Sequence, residues 1–95
     1  MVIVIQSIVD GCDTNAQGAI VQTMLRKYLS QQATVTLDFS GVFNVTSSFV
    51  NTAFVELLDD YNFDLFKSLV TIKNVNRQIG TLIKSRMEKE ALIAA

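Results

Sequence analysis

Three short runs of apolar, mostly β-branched residues alternate along this chain with three longer segments in which apolar residues recur at helical spacing. The runs cover residues 2–9, 35–39 and 69–74, and the helical segments cover residues 15–30, 48–61 and 76–90. Strands that alternate with helices are typical of a parallel sheet, because a parallel connection needs a crossover that a helix supplies. The sequence therefore predicts a small α/β fold of order β-α-β-α-β-α.

The pattern also predicts how the sheet is covered. Residues 2–9 are almost continuously apolar, which is typical of a strand buried on both faces. Right-handed crossovers place successive helices on opposite faces when the chain reverses its direction across the sheet, and with three strands a reversal leaves the first strand central. We therefore expect one domain over residues 1–95, with a mainly parallel three-stranded sheet and helices on both faces.

The chain is rich in hydrophobic residues for its length. It has 95 residues, near the size at which a single core is only just sufficient, yet 49% of them are hydrophobic and the mean hydropathy is +0.34. We expect some of this apolar surface to contact a partner or a second copy.

No apolar run approaches the roughly 20 residues that span a bilayer, and residues 2–5 lack the basic lead-in of a signal peptide, so we expect a cytoplasmic protein without a membrane partner.

The residue inventory argues against most catalytic and metal-binding chemistry. The sequence contains one cysteine, Cys12, and no histidine, which excludes a disulfide within the chain, a Cys/His zinc site and a His-based triad. Glycine-rich phosphate loops are missing, and the acidic run Asp59, Asp60 and Asp64 lacks the pattern of a calcium loop. We expect no enzyme activity, no cofactor and no metal, and we interpret Cys12 as an unreactive loop or core residue.

Charge is divided unevenly along the chain. Residues 38–64 carry five carboxylates and no base, whereas residues 67–90 carry six bases against Glu88 and Glu90. Such asymmetry is typical of solvated helix faces, and it also favours steering of a charged partner or head-to-tail alignment of two copies. The basic segment has no recognition-helix motif or stacking aromatic pair, and the sequence pI is about 5.1, so we expect no nucleic-acid partner.

Gly18 lies inside the first helical segment, which begins after the good capping residues Asp13 and Thr14. Glycine within a helix costs on the order of 1 kcal/mol relative to alanine. Two interpretations stay open: Gly18 marks close packing against the sheet, or it is tolerated without a packing role.

Two adjacent serines, Ser47 and Ser48, lie where the second predicted strand passes into the second predicted helix. A helix start leaves backbone N–H groups unpaired and carries a partial positive charge, so a hydroxyl there either caps the helix or, once phosphorylated, is held as an anion. Upstream, Asp38 is expected to accept a hydrogen bond from Ser40 or from loop N–H groups, and Ser40 and Gly41 close the strand. We interpret Asp38, Ser40 and Gly41 as residues that shape the loop.

Two motifs carry a family resemblance: Leu37-Asp38-Phe39-Ser40-Gly41-Val42, and Ser47-Ser48-Phe49 at the start of the next helix. With the helix start at residues 13–16 and the strand-to-helix step at residues 70–75, they resemble the STAS domain, named for sulfate transporters and anti-sigma factor antagonists. The resemblance covers nearly the whole chain. It is closest to the small bacterial group called STAS-like domains of unknown function, in which an aspartate-containing strand ends in Phe-Ser-Gly-Val and the next helix opens with Ser-Ser-Phe.

The resemblance implies a non-enzymatic regulatory module that binds other proteins. In anti-sigma factor antagonists, a partner kinase phosphorylates a serine at this helix start and thereby prevents binding, and Ser47 matches that position. This chain has Thr46 where those antagonists carry aspartate and Phe49 where they carry glycine. Members of the STAS-like group often accompany ATPase domains similar to histidine kinases. The implied partner is therefore a kinase-like ATPase or another regulator, with Ser47 and Ser48 as candidate phosphoacceptors.

The predicted contact surface comprises the loop from Ser40 to Ser48 and the outward side of the second helix. Its predicted interface residues are Thr46, Asn51, Thr52, Val55 and Glu56. The alternative is a structural homodimer without phosphorylation switching, because a three-stranded sheet has two unprotected edges and the chain is rich in apolar residues.

Overall fold

The computed structural model describes residues 1–94, which form three strands and four α-helices. The strands are β1 (Val2–Val4), β2 (Val35–Asp38) and β3 (Val70–Lys73), and the helices are α1 (Asn15–Ser30), α2 (Ser47–Ala53), α3 (Phe63–Leu69) and α4 (Arg77–Ala94). Two 3-10 helices, Ile5–Ser7 and Val55–Asp59, follow β1 and α2. The predicted α/β class is confirmed, although β1 is shorter than the predicted strand of residues 2–9.

All three strands are parallel and lie in the order β1-β2-β3. Ile3, Leu37 and Ile72 share one register position across the sheet. The predicted parallel three-stranded sheet is confirmed, but the central strand is β2 and not β1. The chain crosses the sheet in one direction throughout, so the reversal that would place β1 in the centre does not occur.

The helices among residues 1–94 cover one face of the sheet. Ile3 is 5% exposed and Leu37 is 1% exposed, whereas Val2 and Val4, whose side chains point to the other face, are 56% and 42% exposed. α1 contacts α2, and α4 contacts both α2 and α3, as a single helical layer requires. The expectations of helices on both faces and of a first strand buried on both faces are therefore wrong. Right-handed crossovers that travel in one direction place successive helices on the same side.

The predicted second helix, residues 48–61, is divided in the structure. α2 ends at Ala53 because Phe54 leaves helical geometry, with φ −124° and ψ −51°. A further helix, α3, begins after Asn62, whose side-chain oxygen accepts a hydrogen bond from the Leu65 N–H at 2.7 Å. Asparagine is a favoured N-cap, so Asn62 is the local signal for α3 that apolar periodicity alone overlooks.

α2 lies in the middle of the helical layer and is held there by aromatic contacts. Phe49 and Phe54 are fully buried, and their rings meet edge to face with centroids 6.3 Å apart. Phe54 meets Phe66 of α3 in the same geometry. Such pairs contribute about 0.5–1.5 kcal/mol beyond their buried area, and they fix α2 relative to α3.

No helix among the described residues has the length and apolar character needed to cross a bilayer.

Candidate functional site

Residues 39–46 connect β2 to α2 at the carboxyl edge of the sheet, where α/β folds usually place their binding residues. We call this segment the β2–α2 loop. It contains the predicted Ser40 and Gly41 and ends at Thr46, immediately before Ser47.

Asp38 holds the start of the loop through one carboxylate oxygen. Its Oδ1 accepts hydrogen bonds from the Ser40 N–H at 2.9 Å, the Ser40 hydroxyl at 2.6 Å and the Asn74 side-chain amide at 3.0 Å. These donors, the Ser40 hydroxyl first, stabilise the charged carboxylate and lower the pKa of Asp38 to about 2. The predicted contact between Asp38 and Ser40 is confirmed. Asn74 lies 36 residues later in the chain, so local spacing does not reveal it.

Gly41 adopts a positive φ of 79°, which side chains other than glycine rarely tolerate. Its carbonyl oxygen accepts a hydrogen bond from Gln6 Nε2 at 2.9 Å, and a Cβ on Gly41 would lie only 2.6 Å from Gln6 Oε1. The positive φ is therefore the cause of the loop-shaping role predicted for Gly41, because the exposed side-chain end of Gln6 can shift away from an added Cβ.

Phe43 is 75% exposed although its backbone is held in place. Its carbonyl oxygen accepts a hydrogen bond from Asn76 Nδ2 at 3.0 Å, and Asn76 Oδ1 accepts one from the Ile79 N–H at 2.8 Å at the start of α4. Helical and strand periodicity do not single out Phe43, because an isolated aromatic residue in a loop belongs to neither pattern. The nearby turn residues Gly41 and Asn44 are the sequence signal that this aromatic side chain lies outside the core.

Thr46, and neither serine, is the N-cap of α2. The Thr46 hydroxyl oxygen accepts a hydrogen bond from the Phe49 N–H at 3.2 Å, and the hydroxyl donates to the Asp13 carbonyl at 2.9 Å. The expectation that a serine caps this helix is therefore wrong, because the helix begins one residue earlier than predicted. Ser47 is half-buried and Ser48 is exposed, and neither hydroxyl makes a hydrogen bond among the described residues.

Thr52 of α2 and Glu56 of the following 3-10 helix, which were predicted to face outward, both lie beside α1. A Cβ on Gly18 would lie 2.8 Å from the Phe49 carbonyl oxygen and 3.0 Å from Thr52 Cβ. The Gln22 side-chain amide donates to the Thr52 carbonyl and, at 3.1 Å, to Glu56 Oε1. The outward placement of Thr52 is wrong. Gly18 marks close packing, but against α2 and not against the sheet.

Asn51 of α2 and Val55 of the following 3-10 helix lie on the opposite side and face α4. Both are half-buried, and together with residues of α4 they line a cleft of about 320 Å³. Of the five predicted interface residues, only Glu56 is exposed, and Thr46 is engaged as a cap. Helices pack on both sides of α2, and between residues 39 and 56 the exposed large hydrophobic side chain is that of Phe43 in the β2–α2 loop. A role of these five residues in partner binding stays a prediction.

Cys12 lies beside the end of the loop and is 2% exposed. Its carbonyl oxygen accepts a hydrogen bond from the Thr46 N–H at 3.0 Å. Burial, with a smaller contribution from the charge of Asp13, raises the pKa of the thiol to about 11, so little reactive thiolate exists at neutral pH. Of the two predicted placements of Cys12, a loop or the core, the structure shows the core. Within the part of the chain that the structure describes, no three cysteine, aspartate or glutamate side chains converge on a metal position.

Comparison with protein families supports the resemblance carried by the two motifs. The model of the family described as STAS-like domain of unknown function matches residues 18–79, which is about two thirds of the chain. The matched range includes β2, the β2–α2 loop, all of α2 and β3. Comparisons with curated proteins and with solved structures give no match.

Proposed function

We propose that this chain, which belongs to the family of STAS-like domains of unknown function, is a bacterial cytoplasmic module that binds another protein through its β2–α2 loop and catalyses no reaction. The observation that carries the proposal is Phe43, whose side chain is exposed while its backbone is hydrogen-bonded to Asn76. Exposed aromatic residues are common anchors of protein interfaces, because they bury a large area on docking.

The rigidity of the loop supports this function as well. Asp38 binds Ser40, and Gln6 binds Gly41, so the segment that precedes Phe43 is held by two independent contacts. A loop that is ordered before binding loses less conformational entropy when a partner docks. Burial of the Phe43 side chain contributes about 1.5–3 kcal/mol, which corresponds to roughly a tenfold to hundredfold change in affinity.

Phosphorylation of Ser47 or Ser48 is the proposed switch, and a kinase-like ATPase is the proposed partner. Ser48 is exposed and lies close in sequence to the loop that carries Phe43. A phosphate adds about −1.5 to −2 charges, which would repel an acidic partner surface and oppose burial of an apolar one. Intact-mass measurement after incubation with the ATPase and ATP tests the switch. An unchanged mass in the presence of an active kinase refutes the switch and leaves docking untouched.

Replacement of Phe43 by alanine tests the docking surface. We expect the Phe43→Ala protein to unfold at the same urea concentration as the wild type and to bind the ATPase roughly ten times more weakly or worse, measured by titration calorimetry. Leu92→Ala is the matched control, since Leu92 is 79% exposed at the far end of α4. Equal affinity of the wild type and the Phe43→Ala protein refutes the loop as the contact surface.

A homodimer without a switch is the second candidate function, and the exposed side chains of Val2 and Val4 favour it. These residues belong to β1, an edge strand beyond which no other strand lies among residues 1–94. Free strand edges promote pairing with another chain. Light scattering over a range of concentrations tests this alternative, and a monomer at all concentrations refutes it.

A further inference from the structure

The outer edge of β3, on the side of the sheet away from β1, has unpaired backbone groups. The Phe39 N–H donates to the Lys73 carbonyl at 3.0 Å, so the backbone groups of Lys73 point toward β2. Because successive residues of a strand point their backbone groups to opposite sides, those of Ile72 point away from β2. No strand among residues 1–94 lies beyond β3. Ile72 therefore presents one donor and one acceptor at an open edge.

An apolar groove of about 290 Å³ lies beside this edge, between α3 and α4. We call it the β3 groove, and its apolar lining includes Phe66, Val70, Ile72, Val75, Ile83 and Met87. Phe66, Ile83 and Met87 are nearly or fully buried in the core, so the floor of the groove is rigid, and Ile72 is only half-buried. The groove is the space that the side chains of a strand added to β3 would enter, because alternate side chains of such a strand point toward the helical layer.

The surroundings of the groove are basic. Lys67 and Lys84 line its rim, and Lys73 and Arg77 lie on and just after β3. The neighbouring acids are Asp64, 3.7 Å from Lys67, Glu88, 4.0 Å from Lys84, and Asp38, which is the register partner of Lys73 in the sheet. Both ion pairs are exposed and therefore weak. Four bases against three acids leave this edge with a net positive charge, whereas Arg86 and Lys89 of the same basic half of the sequence lie beside α2.

We propose that the β3 edge binds an extended segment of another protein as a fourth strand, and that this segment alternates apolar and acidic residues. Its backbone would pair with Ile72, its apolar side chains would enter the β3 groove, and its acidic side chains would face Lys73 on the open face of the sheet. This is binding by strand addition, in which the backbone supplies affinity and alternate side chains supply specificity. A second copy at the same edge is disfavoured, because two basic rims would meet.

This site lies apart from the β2–α2 loop, and it is tested without the ATPase. The probe is a fluorescein-labelled peptide of about ten residues with alternating valine and glutamate, titrated with the full chain and followed by fluorescence anisotropy. We expect saturable binding that is lost when the backbone nitrogens of the peptide are methylated, because methylation removes the donors of the strand ladder. Lysine in place of glutamate in the peptide is expected to abolish binding.

Charge reversal on the protein separates this site from general electrostatic attraction. The double variant with Lys73→Glu and Lys84→Glu is expected to bind the peptide about tenfold more weakly than the wild type. The control is the double variant with Lys27→Glu and Lys89→Glu, which has the same net charge and is expected to bind as the wild type does. All four lysines are exposed, so both variants are expected to fold. The Phe43→Ala protein retains full peptide affinity if the two surfaces are independent.

Three kinds of result would overturn the proposal. One is the absence of binding at millimolar concentrations of the wild-type protein. Another is an equal effect of the two double variants or equal binding of the methylated peptide. The third is a wild-type dimer that Ile72→Pro converts to a monomer, because the edge would then be occupied by a second copy. Proline at Ile72 removes an outward N–H, a position where edge strands tolerate it.

Discussion

Replacement of Gly18 by alanine tests the packing of α1 on α2, the helix that follows the β2–α2 loop. The added Cβ would lie 2.8 Å from the Phe49 carbonyl oxygen, 3.0 Å from Thr52 Cβ and 3.2 Å from the Ala53 nitrogen. Two of these atoms belong to the backbone of α2, so rotation of a side chain does not relieve the contact. The two helices must move apart.

The expected change in stability is the difference between two opposing effects. Alanine in place of glycine inside a helix stabilises by about 1 kcal/mol. Overpacking a core contact costs about 1–3 kcal/mol, and a clash with backbone favours the upper part of that range. Separation of the helices also weakens the contacts that Gln22 makes with Thr52 and Glu56. We therefore expect a net loss of about 1–2 kcal/mol, with Tm falling by roughly 4–8 °C for each kcal/mol.

Urea unfolding followed by circular dichroism measures this loss, and Gly80→Ala is the matched control. Gly80 also lies within a helix, but a Cβ there would meet only the methyl groups of Val75, at 3.8 and 3.9 Å, which is ordinary van der Waals contact. The Gly80→Ala protein is expected to gain about 0.5–1 kcal/mol. A Gly18→Ala protein that gains stability to the same extent would refute close packing at Gly18.

Three further predictions concern the surroundings of the loop. Asp38→Asn is expected to lower the urea midpoint above about pH 4. The difference from wild type is lost as the pH falls toward 2, because the folded-state pKa of Asp38 lies below the ordinary value of 3.8. A difference in urea midpoint that persists unchanged at pH 2 contradicts this prediction. Thr46→Ala is expected to lower the free energy of unfolding by about 1 kcal/mol, and Ser47→Ala by less than about 0.5 kcal/mol. The reverse ranking in urea unfolding contradicts the assignment of Thr46 as the cap. Cys12 is expected to react with an aromatic disulfide reagent only as the protein unfolds, so rapid absorbance change with folded protein at pH 8 would disprove its burial.

The helix boundaries show how far local signals reach. α1 covers residues 15–30 as predicted, and the reason is local: the Thr14 hydroxyl oxygen accepts from the Gln17 N–H at 3.1 Å, and Gln17 Oε1 accepts from the Thr14 N–H at 3.1 Å. This reciprocal capping box lies within four residues of sequence, and its effect does not depend on the rest of the fold. The division of residues 48–61 differs, because the irregular backbone at Phe54 occurs where its ring packs between Phe49 and Phe66.

The candidate site shows the same division. The contact between Asp38 and Ser40 spans two residues and follows from the turn chemistry of aspartate. The contacts of Gln6 with Gly41 and of Asn76 with Phe43 span 35 and 33 residues, and they exist only because three strands bring their carboxyl ends together. The turn residues beside Phe43 indicate an exposed side chain, but the contact that holds its backbone comes from Asn76 and cannot be read from the loop sequence.

By itself, the sequence determined the α/β class, the succession of strands and helices, the loop chemistry of Asp38, and the motifs that match the STAS-like family. These features depend on residue spacing within single elements and their adjoining turns. Only the tertiary structure decided that β2 is central, that the helices lie on one side, and that Thr52 faces α1. Periodicity shows which side of a helix is apolar, but it does not show which neighbour covers the remaining sides. The direction in which the chain crosses the sheet determines which elements become neighbours. At Gly18 the absence of a Cβ also lets α1 and α2 pack closely together.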